Sequence, residues 1–414
     1  MSQRRRGRDR GPMTAPRRIA VLGLGRMGTA IAARLAAQGA HVTGWTRSGG
    51  PREGEAHEDR VPGGFTTVPD AKEAVAGADT VLLALFDGAA CRAVLDAVDG
   101  ALREGAVVVN TATVAPDEAS ELARRLGPGY VHAPVLGSVP AVAAGTLTLL
   151  AAAGEPATLD RVRPVLDALG TVRPVDGAAT AAALKLVANH GLAGAVLALR
   201  DALHQADALG LPRDRALDVL ERGPLGGLAS RKRPYLLDGP PPATAEFTIG
   251  ALAKDLALLA EASQHPLRGG TAPAAEPDAD IALAATAPAV PDEVLAPLRA
   301  YVRGHATGDP RHFREAFLPT ARVEGIRDSV LVSWPLDEYC ALFRGRPAPD
   351  EATRSRRVDT ADVHGTVATA TMTLLHGPDT FTDVFLLVRV DDTWRIANKA
   401  YHRHPTATPS SSTR

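Results

Sequence analysis

From residue 18 to about 175, short apolar runs alternate with segments in which apolar residues recur every three or four positions. RIAVLGL, HVTGWT, TVLLALF, AVVVNTAT and YVHAPV read as strands, and MGTAIAARLAAQG between the first two as a helix. This alternation predicts βαβ units, hence a parallel sheet covered by helices. The stretch VHAPVLGSVPAVAAGTLTLLAAAG is an apolar run broken by Gly137, Ser138 and Pro140, a small-residue loop that lets the backbone approach a neighbour or a ligand closely. AATAAALKLVANHGLAGAVLALRDALHQADALG holds no proline and closes on Gly210 ahead of Leu-Pro, the signature of a long helix and its stop. RALDVLERG and EFTIGALAKDLALLAEA continue the helical pattern, with GPPPAT as a turn between them.

Beyond Ala262 the pattern lapses into HPLRGGTAPAAEPDADIALAATAPAVP, whose Ala, Pro and Gly are those of a linker. A second unit follows. DEVLAPLRAYVRGH, RHFREAF and LDEYCALF carry helical spacing, and ATATMTLLHG and FTDVFLLVRVDDTWRIANKAYH the alternation of long strands. Helices placed ahead of strands predict an α+β domain with an antiparallel sheet. The expected division is a tail at 1–17, an α/β domain at 18–176, an all-helical domain at 177–285, a linker at 286–290, the α+β domain at 291–405 and a tail at 406–414.

A chain of 414 residues exceeds one ordinary core. Its formal net charge of -1 gives no basic field for nucleic acid or a membrane surface. Only MSQRRRGRDRGPMTAPRR departs from this, and its near-absence of apolar residues makes it a solvated tail. No uncharged apolar run reaches the length that spans a bilayer, so a cytoplasmic protein is expected. The two cysteines, Cys91 and Cys340, lack metal-site spacing, and no metal is expected.

The glycines Gly23, Gly25 and Gly28 stand in GxGxxG spacing after a strand and at the mouth of a helix. The first two permit a tight turn and close approach of a pyrophosphate, the third lets helix and strand pack, and the helix N-terminus attracts phosphate charge. Leu24, Arg26 and Met27 belong to the same turn. The second strand should end beside the adenosine ribose. An Asp or Glu there would favour NAD; Thr46, Arg47 and Ser48 can instead bind a 2′-phosphate, which selects NADP over NAD. Lys185 and, one turn later, Asn189 share a face of the long apolar helix. A hydride moving to or from a carbinol carbon develops charge on oxygen, which an ammonium proton can neutralise. On the residues alone, a snorkelling lysine is the simpler reading.

GLGRMGTAIAARL, TVAPDEASELA, APVLGS…GTLTLLAAAG, KLVAN and FTIGALAKDLALLAEA occur in the order found in β-hydroxyacid dehydrogenases, and residues 18–285 resemble that family, which includes the 3-hydroxyisobutyrate dehydrogenases. The resemblance implies a Rossmann domain followed by a helical domain that pairs two copies into a homodimer, and hydride exchange with a small β-hydroxy acid or its aldehyde. It implies that Lys185 transfers the proton and Asn189 orients substrate. Lys254 becomes a cofactor or substrate contact supported by Asp255, which borders the substrate, and Thr113 a cofactor contact. Gly137 and Ser138 fall on the substrate-carboxylate loop, but Leu136 stands where the family has serine. A carboxylate would lose a charge-assisted hydrogen bond there unless Ser138 supplies it. WTRS is similar to the NADP loop of imine reductases, so reduction of a cyclic C=N is an alternative, as is an NADP-binding sensor without catalysis. AEPDADIALA resembles a remnant of the family's GxGxxD ending.

LRAYVRGHATGDPRHFREAFLPTARV, WPLDEYCALF and FTDVFLLVRVDDTWRIANKAYH make residues 291–404 similar to the lumazine-binding type of the nuclear-transport-factor-2-like superfamily, an α+β cone. Its candidate pocket groups are His312, Trp334, Tyr339, His376 and Asp383, none with an assigned catalytic role.

Overall fold

The computed structural model describes residues 17–47, 64–239, 245–263, 278–286, 290–327, 330–377 and 379–404. The chain divides into two units, Met1–Ala287 and Pro288–Arg414. Ser48, the GPPPAT turn beyond Gly239, both tails beyond Arg17 and His404, and most of the linker fall outside the described residues.

The first unit opens as β1 (Arg18–Leu22), α1 (Arg26–Ala37), β2 (His41–Trp45), β3 (Thr66–Thr67), α2 (Ala71–Val75), β4 (Thr80–Leu83), α3 (Gly88–Ala97), β5 (Val107–Asn110) and α4 (Pro116–Leu126). It continues as β6 (Tyr130–His132), β7 (Val135–Leu136), α5 (Val139–Ala144), β8 (Leu147–Ala153), α6 (Pro156–Leu169) and β9 (Gly170–Pro174). The strands lie in the order β3-β2-β1-β4-β5-β6-β8-β7, with β9 beside β8. β4 and β5 are buried along their whole length, because α1 and α6 cover one face of the sheet and α2, α3 and α4 the other. The order reverses at β1, and the crevice between β1 and β4 is the switch point at which such sheets bind ligands.

The sheet is mixed rather than wholly parallel, a correction to the expected architecture. β8 runs antiparallel to both β6 and β7. The small-residue loop explains this: α5 has only six residues, too few for the crossover a parallel pair needs, so the chain turns back on itself.

The helical part comprises α7 (Ala178–Ala208), α8 (Arg213–Leu220), α9 (Gly226–Asp238), α10 (Ile249–Ser263) and α11 (Ala282–Thr286) around one core that includes Val196, Leu199, Leu203, Leu252 and Leu256. The sequence pattern missed α9, whose GGLASRKRPYLLD combines two glycines with an internal Pro234. It is held instead by tertiary contacts, above all Lys232, which ion-pairs with Asp280 (3.0 Å) and Glu246 (2.9 Å). Asp280, in the supposed remnant of the family ending, is thus a buried clamp. By length and mean hydropathy α7 is the one described helix able to cross a bilayer, yet it packs against α4, α10 and β8 and buries Lys185 and Asn189.

The second unit consists of α12 (Asp292–Thr307), α13 (Pro310–Ala316), β10 (Arg322–Arg327), β11 (Val330–Pro335), α14 (Leu336–Ala341), β12 (Ser355–His364), β13 (Val367–His376), β14 (Asp379–Val390) and β15 (Thr393–His404). Its sheet is ordered β11-β10-β15-β14-β13-β12 and is antiparallel except where β10 meets β15. Two strands therefore precede α14, where helices alone were expected before the sheet. The inner sheet face closes with the helices on a core holding Tyr301, Phe313, Phe317, Phe385 and Trp394.

Candidate active site

The glycine turn is shaped by close backbone contacts. Gly23 has φ +103°, and a Cβ there would meet the Ala84 carbonyl oxygen at 2.5 Å; one on Gly28 would meet the Gly23 carbonyl oxygen at 1.8 Å. A Cβ on Gly25 would meet nothing within 4 Å, so the turn is open at that position. Gly25 caps α1, whose first amides have no intrahelical acceptor and face that opening. The turn fits a dinucleotide. Leu24 and Met27 turn their side chains into the core beneath it, leaving backbone to the ligand. Arg26 reaches across to the Ala245 carbonyl (3.1 Å). Thr46 and exposed Arg47 follow β2, which ends next to β1 as a ribose-binding strand should.

Lys185, Asn189, Lys254 and Asp255 come together between α7 and α10. Lys185 Nζ donates to Asn189 Oδ1 at 3.0 Å, and Asn189 Nδ2 donates to Asp255 Oδ2. Asp255 Oδ1 pairs with Lys254 Nζ at 2.7 Å, and Lys254 also donates to the Thr113 carbonyl at 3.0 Å. The helix explains the first contact, since residues four apart lie one above the other. Tertiary packing of α10 on α7 supplies the second. Asp255 is buried, with Oδ2 accepting from Asn189 and Oδ1 in an ion pair with Lys254, so the carboxylate braces both side chains. Burial pushes the Lys185 ammonium down to about 8; Asp255 opposes the shift and Lys254 reinforces it.

Thr113 thus enters through its backbone, at the turn after β5. Phe86, which no sequence signal marked, stands 59% exposed after β4 with Lys254 Nζ 5.2 Å from its ring centroid. Gly137 has φ +129° and a Cβ there would strike Leu147, so the loop needs glycine. Ser138 caps α5 through its backbone, and its hydroxyl makes no capping bond. Leu136 packs on the apolar cluster of Leu150, Ala152 and Ala181, the last on α7.

In the second unit Trp334, Tyr339, His376 and Asp383 line one cavity of about 260 Å³. His312 does not: it sits on α13 beside Glu315, outside the cavity, because the helix turns its face away from the sheet. The cavity also holds Tyr301, His305 and Lys399, whose place on helical and strand patterns dominated by apolar neighbours hid them.

Residues 18–182 match the family model of the NAD binding domain of 6-phosphogluconate dehydrogenase, and residues 289–402 that of putative lumazine-binding proteins. Over 274 residues the chain is 31% identical to a probable 3-hydroxyisobutyrate dehydrogenase of Mycobacterium bovis, a match that takes in 64% of this chain and 90% of that one. It is 29% identical over 266 residues to an NAD-dependent L-serine dehydrogenase of Pseudomonas aeruginosa, covering 60% of this chain and 86% of the relative. Among solved structures, Mycobacterium tuberculosis 3-hydroxyisobutyrate dehydrogenase with L-serine superposes with a TM-score of 0.53 at 26% identity, over 66% of this chain and 99% of that one.

Proposed function

Because the chain belongs to the 3-hydroxyisobutyrate dehydrogenase family, the β-hydroxyacid dehydrogenases, and is an NAD(P)-dependent oxidoreductase acting on CH–OH, we propose that it uses NADP and that Lys185 is its acid and base. The bound dinucleotide supplies or accepts the hydride. The observation that carries the reading is the buried chain Lys185–Asn189–Asp255. With Nδ2 committed to Asp255, the Asn189 amide has one orientation, which aims its oxygen at Lys185. The lysine is thereby held as a hydrogen-bonded group whose proton is exchangeable near neutral pH. In alcohol oxidation its neutral amine takes the hydroxyl proton; in reduction its ammonium returns one to the forming alkoxide. Lys254, fixed by Thr113 and Asp255, adds a second cation that holds the Lys185 affinity for protons down.

The substrate is a small β-hydroxy-acid-like molecule received by Gly137 and Ser138. Leu136 favours a second reading. Its side chain packs against apolar neighbours at the position of the family's carboxylate-binding serine, which suits a less anionic substrate such as a cyclic imine. Turnover of NADPH and NADH with β-keto acids, semialdehydes and cyclic imines separates the two. Lys185→Ala should lower kcat/KM about 100-fold or more on whichever class reacts. A loss below about tenfold would remove Lys185 from the proton transfer. Arg47→Asp should weaken NADPH binding by about tenfold while sparing NADH, since one charge-assisted contact to a 2′-phosphate is worth about 1.5–3 kcal/mol.

A further inference from the structure

Lysine is scarce in this chain, with five residues against 41 arginines. Arginine makes the surface pairs, such as Arg213–Asp207 and Arg299–Asp292. Of the lysines only Lys72 is exposed. Lys185 and Lys254 stand in the active site, and Lys232 is buried in its carboxylate clamp. A guanidinium does not give up its proton and an ammonium does, so a lysine kept where arginine is the usual cation is a group able to react. Lys399 is the one buried lysine left without a role.

Lys399 lies on β15, 5% exposed, and lines the cavity of the second unit. Its Nζ is 2.6 Å from Asp383 Oδ2 and donates to the Tyr301 hydroxyl at 2.6 Å; Tyr301 in turn donates to the same Oδ2 at 2.6 Å. Phe343, Phe381, Trp334 and Tyr401 give the cavity apolar, aromatic walls. His376 Nε2 is buried there with no partner among the described residues. As core filling this cluster is poor, because well-packed apolar side chains would be at least as stable as a buried ion pair. Facing a cavity, the same three groups form an amine with a proton acceptor and a hydroxyl relay in contact with it.

We propose that Lys399 binds a small aldehyde or ketone with an apolar or aromatic body covalently, as an imine. Asp383 takes one proton from the ammonium. The nitrogen lone pair then forms the C–N bond while the carbonyl π pair moves onto oxygen, which receives a proton from nitrogen through the Tyr301 hydroxyl. Protonated Asp383 passes its proton to that new hydroxyl, the C–O bond breaks and water leaves. The protonated imine stays paired with the Asp383 carboxylate, and no oxidant or reductant is consumed. The aromatic walls pack against the body of the carbonyl compound.

The test is reductive trapping on the intact protein with benzaldehyde and sodium cyanoborohydride, read by peptide mass spectrometry. A benzyl adduct should accumulate on Lys399 about tenfold faster than on exposed Lys72, and saturate with benzaldehyde. Tyr301→Phe, which keeps the ring and the lysine, should slow the labelling of Lys399 about fivefold while circular dichroism stays unchanged. Should that variant misfold, saturation of the native protein and its loss on unfolding in urea decide the matter. Labelling of Lys399 no faster than Lys72, linear in benzaldehyde, or faster in unfolded protein overturns the proposal.

Discussion

Besides the Lys232–Asp280 clamp, each unit of this protein buries a lysine near an aspartate, and these two arrangements differ by one amide. In the first unit Asn189 stands between Lys185 and Asp255, whereas in the second Lys399 touches Asp383 directly. The intervening amide keeps the carboxylate at a distance, so burial outweighs it and the Lys185 ammonium falls to about 8. At Lys399 burial also lowers the affinity for protons, and contact with Asp383 resists the change. The spacing of one carboxylate thus separates a lysine whose affinity for protons falls far from one whose proton is shared inside a direct pair.

The largest expected effect comes from removing the direct partner. Asp383→Ala leaves Lys399 buried without its counterion, which should cost about 3–5 kcal/mol of stability in the second unit. Denaturant unfolding followed by Trp334 and Trp394 fluorescence measures it, and a loss below about 1 kcal/mol would mean that the pair is held no more tightly than a surface one.

The pH dependence comes next. With Lys185 as the proposed acid and base, kcat/KM for oxidation should rise with pH and level off above about 8, and that for reduction should fall above the same value. Asp255 raises the lysine's affinity for protons, so Asp255→Asn should move both inflections to lower pH. An unmoved inflection would show that the amide insulates the lysine fully. The stability sign follows from the same shift. The folded state holds the Lys185 proton less tightly than the unfolded chain, so stability should increase as pH rises above about 8, until the unfolded lysine also loses its proton.

How far each site could be read in the sequence follows from its geometry. Lys185 and Asn189 are four apart on one helix, and the glycine turn is contiguous, so periodicity and spacing reach both. The Asn189–Asp255 contact depends on how α10 packs on α7, and local pattern says nothing of it. In the second unit Tyr301, Asp383 and Lys399 come from α12, β14 and β15. Their convergence is made by the sheet register, in which Asp383 pairs across from Tyr401, two residues beyond Lys399. Asp383 could be singled out as a polar residue in a strand pattern and Trp334 as an aromatic one ahead of a helical segment, but Lys399 reads as an ordinary outward-facing lysine. The antiparallel return of β8 was hidden for a related reason: Gly137 signals a turn without saying which neighbour the next strand will join.

The smallest effect tests what surrounds the first lysine. Leu136 is half-buried on Leu150, Ala152 and Ala181, so Leu136→Ser should cost about 1–2 kcal/mol in lost apolar burial. The hydroxyl it introduces lies next to Gly137 and Ser138, where a carboxylate can accept from it. If the leucine is what turns the site away from β-hydroxy acids, the variant should lower KM for them severalfold, about one hydrogen bond's worth, with kcat nearly unchanged. A change in kcat instead would place position 136 in the positioning of Lys185 through Ala181 on the same helix, and make the substrate preference a property of the helix rather than of the loop.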